Sequence, residues 1–567
     1  MDKHIFTFLV SFLICFGINA QYNDGIKVET LIKSDTTVLG QKIVYPQFQS
    51  GEVTMCKITI PAGKSTGWHK HDSPVFAYVL KGDLIVEQEN GKANLFRENS
   101  CIPEVVNINH NGVNKGKKDV VLIASYLKGS GQKIADIKPL YPIEKRDEII
   151  KNIKQPDISS NKVSILSFGA VGDSLTDCKP AFDKAMHACK EQGGARIVVP
   201  AGTYYLDGPI HLVSNVCLEL QKGSRLKFSS NPASYLPAVL TSWEGTFLYN
   251  YSPFIYGYQL NNVSIIGEGV IDGNAANTFN KWADIDDVDQ QKSREMNHGS
   301  TPVGERIFGE GHFLRPQLIQ LFECKNILVE GVTMTDSPFW CLHLLKSENI
   351  TVRKVKYHSF NKNNDGIDPE YSRNILIEDV DFDNADDNVA IKAGRDNEGW
   401  ATATPSENIL IRNCRFKGLH ALVIGSEMSA GVQNVFVENC TYGGYLKRGI
   451  YLKSNPDRGG FIKNIYVKNV SFGEVEDCFY ITSYYHGEGK GHETDINNIY
   501  IDSVTCRKAT ASGLVIQGYP LKKVRDIYLS NIRIDTAATG LSLTETENIV
   551  MSNVIIGNEV KVPSNAN

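Results

Sequence analysis

A chain of 567 residues, 42% hydrophobic and 22% charged, carries enough apolar material for more than one buried core and lies outside the disordered and fibrous classes. Its formal net charge of -5, with no basic stripe, argues against a nucleic-acid partner. Twelve cysteines scattered without a tight framework argue against a small disulfide-built scaffold.

Residues 1–20 combine Lys3 and His4 with an apolar run from Ile5 to Ile18 and a small residue, Ala20, ahead of Gln21. That is the pattern of a secretory signal peptide, so the mature protein is expected to be exported, to the periplasm or outside the cell. Cys15 lies inside the apolar run and follows Ile14 rather than a small residue, which does not fit a lipid anchor. No later stretch is apolar enough to span a bilayer.

Residues 22–130 alternate short apolar runs with the turn signals Pro61-Ala62-Gly63, Lys81-Gly82-Asp83, Asn90-Gly91 and Asn111-Gly112, the texture of a small β-barrel. His69 and His71 are two apart on a strand and share a face; Glu104 and His110, six apart, can share another. Three imidazoles and a carboxylate inside a barrel suit a divalent first-row metal, against the alternative of a metal-free barrel with satisfied histidines. Gly67-Trp68-His69-Lys70-His71, Tyr78-Val79-Leu80-Lys81-Gly82, Glu104 and His110 resemble the cupin family. In that family a glutamate usually follows the second histidine closely; here Asp72 to Ala77 holds none, and Glu104 takes its place. Such a unit is expected to bind sugar or to stabilise the chain rather than to act as a second enzyme.

Residues 131–157, polar and lysine-rich with Pro139 and Pro142, read as a linker with a short helix from Ile143 to Ile153. From residue 158 to 567 the pattern changes. A helix from Pro180 to Gln192 places Phe182, Met186 and Cys189 on one face and ends at Gly193-Gly194, as a cap for an open stack would. Then Asn followed by alternating aliphatic and polar residues recurs at Asn262, Asn326, Asn349, Asn374, Asn408, Asn434, Asn464, Asn498 and Asn548, with Asp526 in the same role, mostly 22 to 34 residues apart. That period belongs to a solenoid and the alternation to strands, which predicts an all-β chain: a right-handed parallel β-helix behind a small β-barrel. Leu-x-x-Leu-x-Leu, the frame of leucine-rich repeats, is missing. Cys414 and Cys440 occupy the slot that Val332, Val380 and Val470 fill in sister coils, so they read as small buried apolar residues.

Aligning Asp365-Gly366-Ile367, Asp387-Asn388-Val389, His420-Ala421-Leu422 and Arg448-Gly449-Ile450 gives one column of Asp, Asp, His and Arg, neighbours about 5 Å apart on adjacent strands. Hydrolysis of a glycosidic bond needs a protonated carboxyl and a carboxylate, and crowding Asp365, Asp386 and Asp387 should leave one of them with a raised pKa. The opening Ser167 to Asp173, continued by Val198 to Tyr204, resembles the polygalacturonases of glycoside hydrolase family 28, and so do four motifs in order: Asn363-Asn364-Asp365, Asp386-Asp387, Gly418-Leu419-His420-Ala421 and Tyr451-Leu452-Lys453.

The resemblance implies a pectic polysaccharide or oligosaccharide substrate, no cofactor for hydrolysis, inversion at the anomeric carbon, Asp386 as acid, Asp365 and Asp387 orienting water, and His420 supporting the acid. It also implies that an arginine and a lysine hold the leaving-group uronate. Here Tyr451 stands for that arginine beside Lys453, with Arg448 in reach, so the expectation is a galacturonate–rhamnose bond in rhamnogalacturonan, with galacturonan as the alternative. Asn363 and Arg315 join the expected binding set. The long charged insertion from Asn274 to Leu314 is expected to close one end of the groove and make the enzyme exo-acting. A pectate-lyase-like β-elimination or a non-catalytic pectin-binding role are the alternatives in other classes; an unsaturated product, or binding without new reducing ends, would reveal them.

Overall fold

The computed structural model describes residues 29–560 apart from 46, 49, 89–91, 131–134, 138–140, 488 and 558, so the signal segment read in residues 1–20 lies outside the described residues. The chain divides between Leu140 and Tyr141 into two compact units. In the first, Gly51–Ile60, Val120–Gly129, Val75–Lys81 and Cys101–Pro103 form one antiparallel sheet, and Ala93–Phe96, Leu84–Gln88, His110–Val113, His69–Lys70 and Asp136–Ile137 form a second. Every second residue of Val120–Gly129 is buried, and Val79, Ile102, Leu122 and Ala124 make the core, consistent with the expected barrel.

The second unit is the predicted parallel β-helix, with strands stacked in three faces. One runs through Asn261–Gly267, Lys325–Glu330, Glu348–Arg353, Arg373–Glu378 and Ser406–Arg412. A second runs through Ile319–Phe322, Leu342–Leu345, Ile367–Glu370, Asp387–Ile391, His420–Ile424 and Tyr445–Lys453. A third, shorter face runs from Gly202–Leu206 to Lys356–His358. Inside, like stacks on like: Val355, Val380, Cys414, Cys440 and Val470 are all at most 1% exposed, and Tyr357, Phe382, Phe416 and Tyr442 stack at 5.1–5.3 Å between ring centroids. The eleven cysteines among the described residues are all free.

The recurrent asparagine has a physical reason. Asn326, Asn349, Asn374, Asn408, Asn434, Asn464 and Asn498 all sit at φ between +52° and +58°, a left-handed bend that asparagine tolerates better than most residues. Each amide NH2 donates to the side-chain oxygen of the asparagine one coil earlier, as Asn434 does to Asn408 at 3.2 Å and Asn464 to Asn434 at 3.0 Å.

The helix Lys179–Glu191 forms as expected, burying Phe182, Met186 and Cys189. Two segments differ from the sequence reading. The helix assigned to a linker, Ile143–Asn152, belongs to the second unit, where Tyr141 and Ile149 pack on Leu376, Leu410 and Phe436 of the outer face. The insertion contains two helices, Phe279–Trp282 and Asp287–His298. The second buries Asp289, Ser293 and Asn297, so it has no apolar stripe to announce it. Among the described residues no helix is long and apolar enough to cross a membrane.

Substituting Asn434→Ala removes two ladder bonds and strains the bend, and is expected to cost about 2–4 kcal/mol. Asn434→Gly, which relieves the strain alone, should recover roughly 1 kcal/mol of it in a urea titration. Equal losses for both would show that the bend itself is unstrained.

Candidate active site

The second face holds three members of the expected column in register, Asp387 with His420 and His420 with Arg448, and Asp477 extends it beyond Arg448. The bends that enter these strands are built from buried polar groups. The Asn384 amide donates to the carbonyls of Asn364 (2.8 Å) and Asp387 (3.1 Å), and the Asn388 amide donates to Asn384 Oδ1 (2.8 Å) and to the Lys417 carbonyl (3.0 Å). Gly366 is required between Asp365 and the strand, because a Cβ there would meet Phe382 at 2.7 Å and the Asn388 carbonyl at 2.5 Å.

Asp365, Asp386, Asp387, His420 and Lys453 line one cavity of about 260 Å³. His420 Nδ1 donates to Asp387 Oδ1 at 2.6 Å and Lys453 Nζ to Asp387 Oδ2 at 3.2 Å, while among the described residues the carboxylate of the half-buried Asp386 accepts only the Asp387 backbone N–H, at 2.9 Å. His420 therefore meets Asp387 directly rather than Asp386. Burial and then the charge of Asp387 push the Asp386 carboxyl above the ordinary carboxylate range, with Lys453 and His420 opposing. Burial pulls Asp387 the same way, but Lys453 and His420 outweigh it and hold that carboxyl below its ordinary range. Burial, then Asp368 and Asp386, push Asp365 well upward against Lys392. Two neighbouring carboxyls whose proton affinities are pushed apart in this way are the equipment that acid/base cleavage of an acetal requires.

Sequence reading missed much of the lining. Lys392 Nζ lies 3.6 Å from Asp365, 3.8 Å from Asp368 and 3.4 Å from Glu427, over the Trp340 ring at 4.4 Å. Arg395 reaches Glu427 at 3.3 Å, and Arg458 pairs with Asp396. Asn455, Tyr485 and His486 complete the side nearer Lys453, and Glu244 with Arg294, paired at 3.0 Å, line the cavity from the inserted segments. Lys392 could have been found, since it bridges to Glu370 on the same outward column; the loop residues carry no periodic signal.

Of the expected binding residues, Tyr451, Arg448 and Arg315 stand off the cavity, while Lys453 and Asn363 line it. Tyr451 is 3% exposed and does not line the cavity; it packs against His420 (5.1 Å), Tyr480 (5.6 Å) and Tyr485 (6.2 Å), because its strand position points it into the stack of the outer column. Arg448 is held by Asp477 at 3.3 Å and lies over the Tyr451 and Tyr480 rings, which satisfies its charge away from the cavity. Arg315 is 1% exposed and donates to the Lys362 carbonyl (2.6 Å) and to Asn363 Oδ1 (2.7 Å) while meeting Asp286 at 3.2 Å. It therefore ties the insertion to the loop before Asp365. Asn363 does line the cavity, with its side-chain oxygen committed to Arg315.

In the first unit, one ligand atom from each of His69, His71, Glu104 and His110 falls within 4.8 Å of the others. His69 and His110 each donate Nδ1–H to a backbone carbonyl, of Gly67 (2.8 Å) and Ile108 (2.9 Å), which leaves the Nε2 lone pair directed inward. His110 Nε2 then faces Glu104 at 3.2 Å, acceptor against acceptor, which a proton or a bound cation would resolve. The donor set fits a divalent first-row metal.

Comparison with known proteins agrees with the geometry. The family model for glycosyl hydrolases family 28 matches residues 189–555. A probable polygalacturonase of Vitis vinifera is 28% identical over 413 residues, 70% of this chain and 79% of that one. An exo-poly-alpha-D-galacturonosidase of Dickeya chrysanthemi is 26% identical over 442 residues, covering 70% of this chain and 71% of its own. The solved structure of a hyperthermoactive exopolygalacturonase from Thermotoga maritima aligns with a TM-score of 0.66 at 37% identity, covering 72% of this chain and 96% of that one. A family match over most of the chain, on coils that gather acidic residues, a histidine and a lysine in one cavity, makes this protein a member of glycosyl hydrolases family 28 and a glycosidase of the polygalacturonase family.

Proposed function

We propose that the enzyme is exo-acting and removes single galacturonate residues from the end of a galacturonan chain, with inversion. One observation carries the exo reading: the cavity holding the acidic residues is also lined by Glu244 and Arg294, from the hairpin Val239–Asn250 and the inserted helix, and measures only about 260 Å³. That is below the roughly 300 Å³ at the small end of ligand pockets and suits one sugar unit rather than a run of them. The likeness to an exopolygalacturonase at 37% identity supports the same reading.

In this mechanism Asp386, carrying its proton, donates to the glycosidic oxygen as the bond to the anomeric carbon breaks. A water on the opposite side attacks that carbon and gives up its proton to Asp387, which Lys453 and His420 keep ionised. Asp365, crowded by Asp368 and Asp386, orients the water. The rhamnogalacturonan expectation rested on Tyr451 facing the leaving group. With Tyr451 behind the cavity and Lys453, Lys392, Arg395 and Arg458 lining it, an acidic sugar on both sides of the bond is favoured. Exported pectin degradation follows from the signal segment read in residues 1–20.

Matched galacturonan and rhamnogalacturonan oligosaccharides test this. The enzyme should release galacturonate monomer from galacturonan faster, with the anomer inverted by proton NMR. A mixed product ladder at early times would reject the exo mode, and faster release from rhamnogalacturonan would reject the substrate. Asp386→Asn should lower kcat by about 10²–10⁴-fold without shifting the melting temperature.

For the first unit we propose a cupin-type barrel in which His69, His71, His110 and Glu104 hold a divalent first-row metal that serves binding or stability. Metal content by mass spectrometry should be near stoichiometric in the wild type and lost in a His69→Ala, His71→Ala variant, with hydrolysis kept within a few-fold. Loss of all glycosidase activity from a folded double variant would show that the two units are not independent.

A further inference from the structure

An enzyme that seats the chain end against a wall must let the remaining chain leave by the other side. This inference therefore rests on the exo reading. Glu244 and Arg294 wall the cavity from segments inserted among the earlier coils, so the open direction runs past Lys453 toward later coils. In that direction Lys453 pairs with Thr482 and Thr482 with Gln517, each step about 4.8 Å along the stack. The loops that follow these strand ends lie in succession beside the cleft. The first gives the cavity Asn455 and Arg458, and the second gives it Tyr485 and His486.

Tyr484, next to the cavity-lining pair, faces outward instead. It is 39% exposed and its ring lies 5.2 Å from Tyr519 on the third loop, at an interplanar angle of 42°. The backbones that carry both rings are held by hydrogen bonds. The Tyr484 N–H donates to Thr482 Oγ1 at 2.9 Å, and that hydroxyl donates to Gln517 at 3.0 Å. Tyr519 exchanges backbone hydrogen bonds with Lys522 (3.2 and 2.9 Å) across a two-residue turn whose tip, Leu521, is 76% exposed. Lys522 and Lys523 follow in the same exposed turn. A pair of touching aromatic rings on hydrogen-bonded backbones, beside two exposed lysines, offers stacking to sugar faces and charge to uronate carboxylates.

We propose that Tyr484 and Tyr519, with Lys522 and Lys523, form a subsite for the leaving-group side of an acidic polysaccharide, one to two sugars beyond the scissile bond. The enzyme would then favour long chains although it releases only one sugar per cut.

The test measures kcat/KM on galacturonan chains of two and of six sugars, for the wild type and for a Tyr484→Ala, Tyr519→Ala variant. The wild type should favour the six-sugar chain, and that advantage should fall about tenfold in the double variant, since an aromatic contact is worth a several-fold effect and two are removed. The Tyr484→Phe, Tyr519→Phe pair keeps the rings and should retain most of the advantage, which separates stacking from misfolding. No chain-length advantage in the wild type, or an undiminished one in the double alanine variant, would overturn the proposal. A mixed ladder of wild-type products would overturn the exo mode alone, because the platform is read from the chain-length ratio and not from product size.

Discussion

Everything at the candidate site depends on carboxylates crowded together away from water. Two unit charges about 4 Å apart repel by roughly 4 kcal/mol at an effective dielectric near 20, so Asp386 and Asp387 cannot both stay ionised without nearby cations. The structure distributes that support unequally. Asp387 has the Lys453 ammonium at 3.2 Å and the His420 Nδ1–H as a hydrogen-bond donor at 2.6 Å, whereas the Asp386 carboxylate has, among the described residues, one backbone N–H. The proton therefore belongs on Asp386, and the difference between two adjacent residues of one sequence motif arises from what the neighbouring coils present to each.

The β-helix suits this task because it converts sequence separation into a fixed distance. Asp387 and His420, 33 residues apart, are in-register neighbours on adjacent strands, and Lys453 reaches the same carboxylate from 66 residues away. Rigidity comes from below, where the Phe382 ring packs under Gly366, and from the side, where Asn384 and Asn388 satisfy the carbonyls of the bends. The same scaffold carries an acid cluster that needs its own counter-ion: Lys392 stands among Asp365, Asp368 and Glu427 and limits their mutual repulsion.

Where the chain repeats, its structure could be read from the sequence. The coil period, the recurrence of asparagine and the Asp387, His420, Arg448 column all follow from a strand period of two and a coil that brings like positions together, whereas the left-handed bend at those asparagines came only with the structure. Where the chain leaves the repeat, it could not. Arg395, Asn455 and Arg458 come from loops, and the helix Asp287–His298 buries polar residues, so neither has a hydrophobic signature. Tyr451 shows the limit of motif matching. It occupies the expected motif position, yet the Arg448–Asp477 pair and the rings of Tyr480 and Tyr485 claim it for packing.

The pH profile of kcat/KM for Lys453→Met tests the charge arrangement most directly, since that profile reports groups of the free enzyme. The proposed mechanism requires Asp387 ionised, and Lys453 is the nearest formal charge that lowers its pKa. Removing the ammonium should raise that pKa and carry the acidic limb upward by about 1–3 pH units, while the alkaline limb set by Asp386 moves the same way. An acidic limb that stays in place while activity falls uniformly at all pH values would contradict the account.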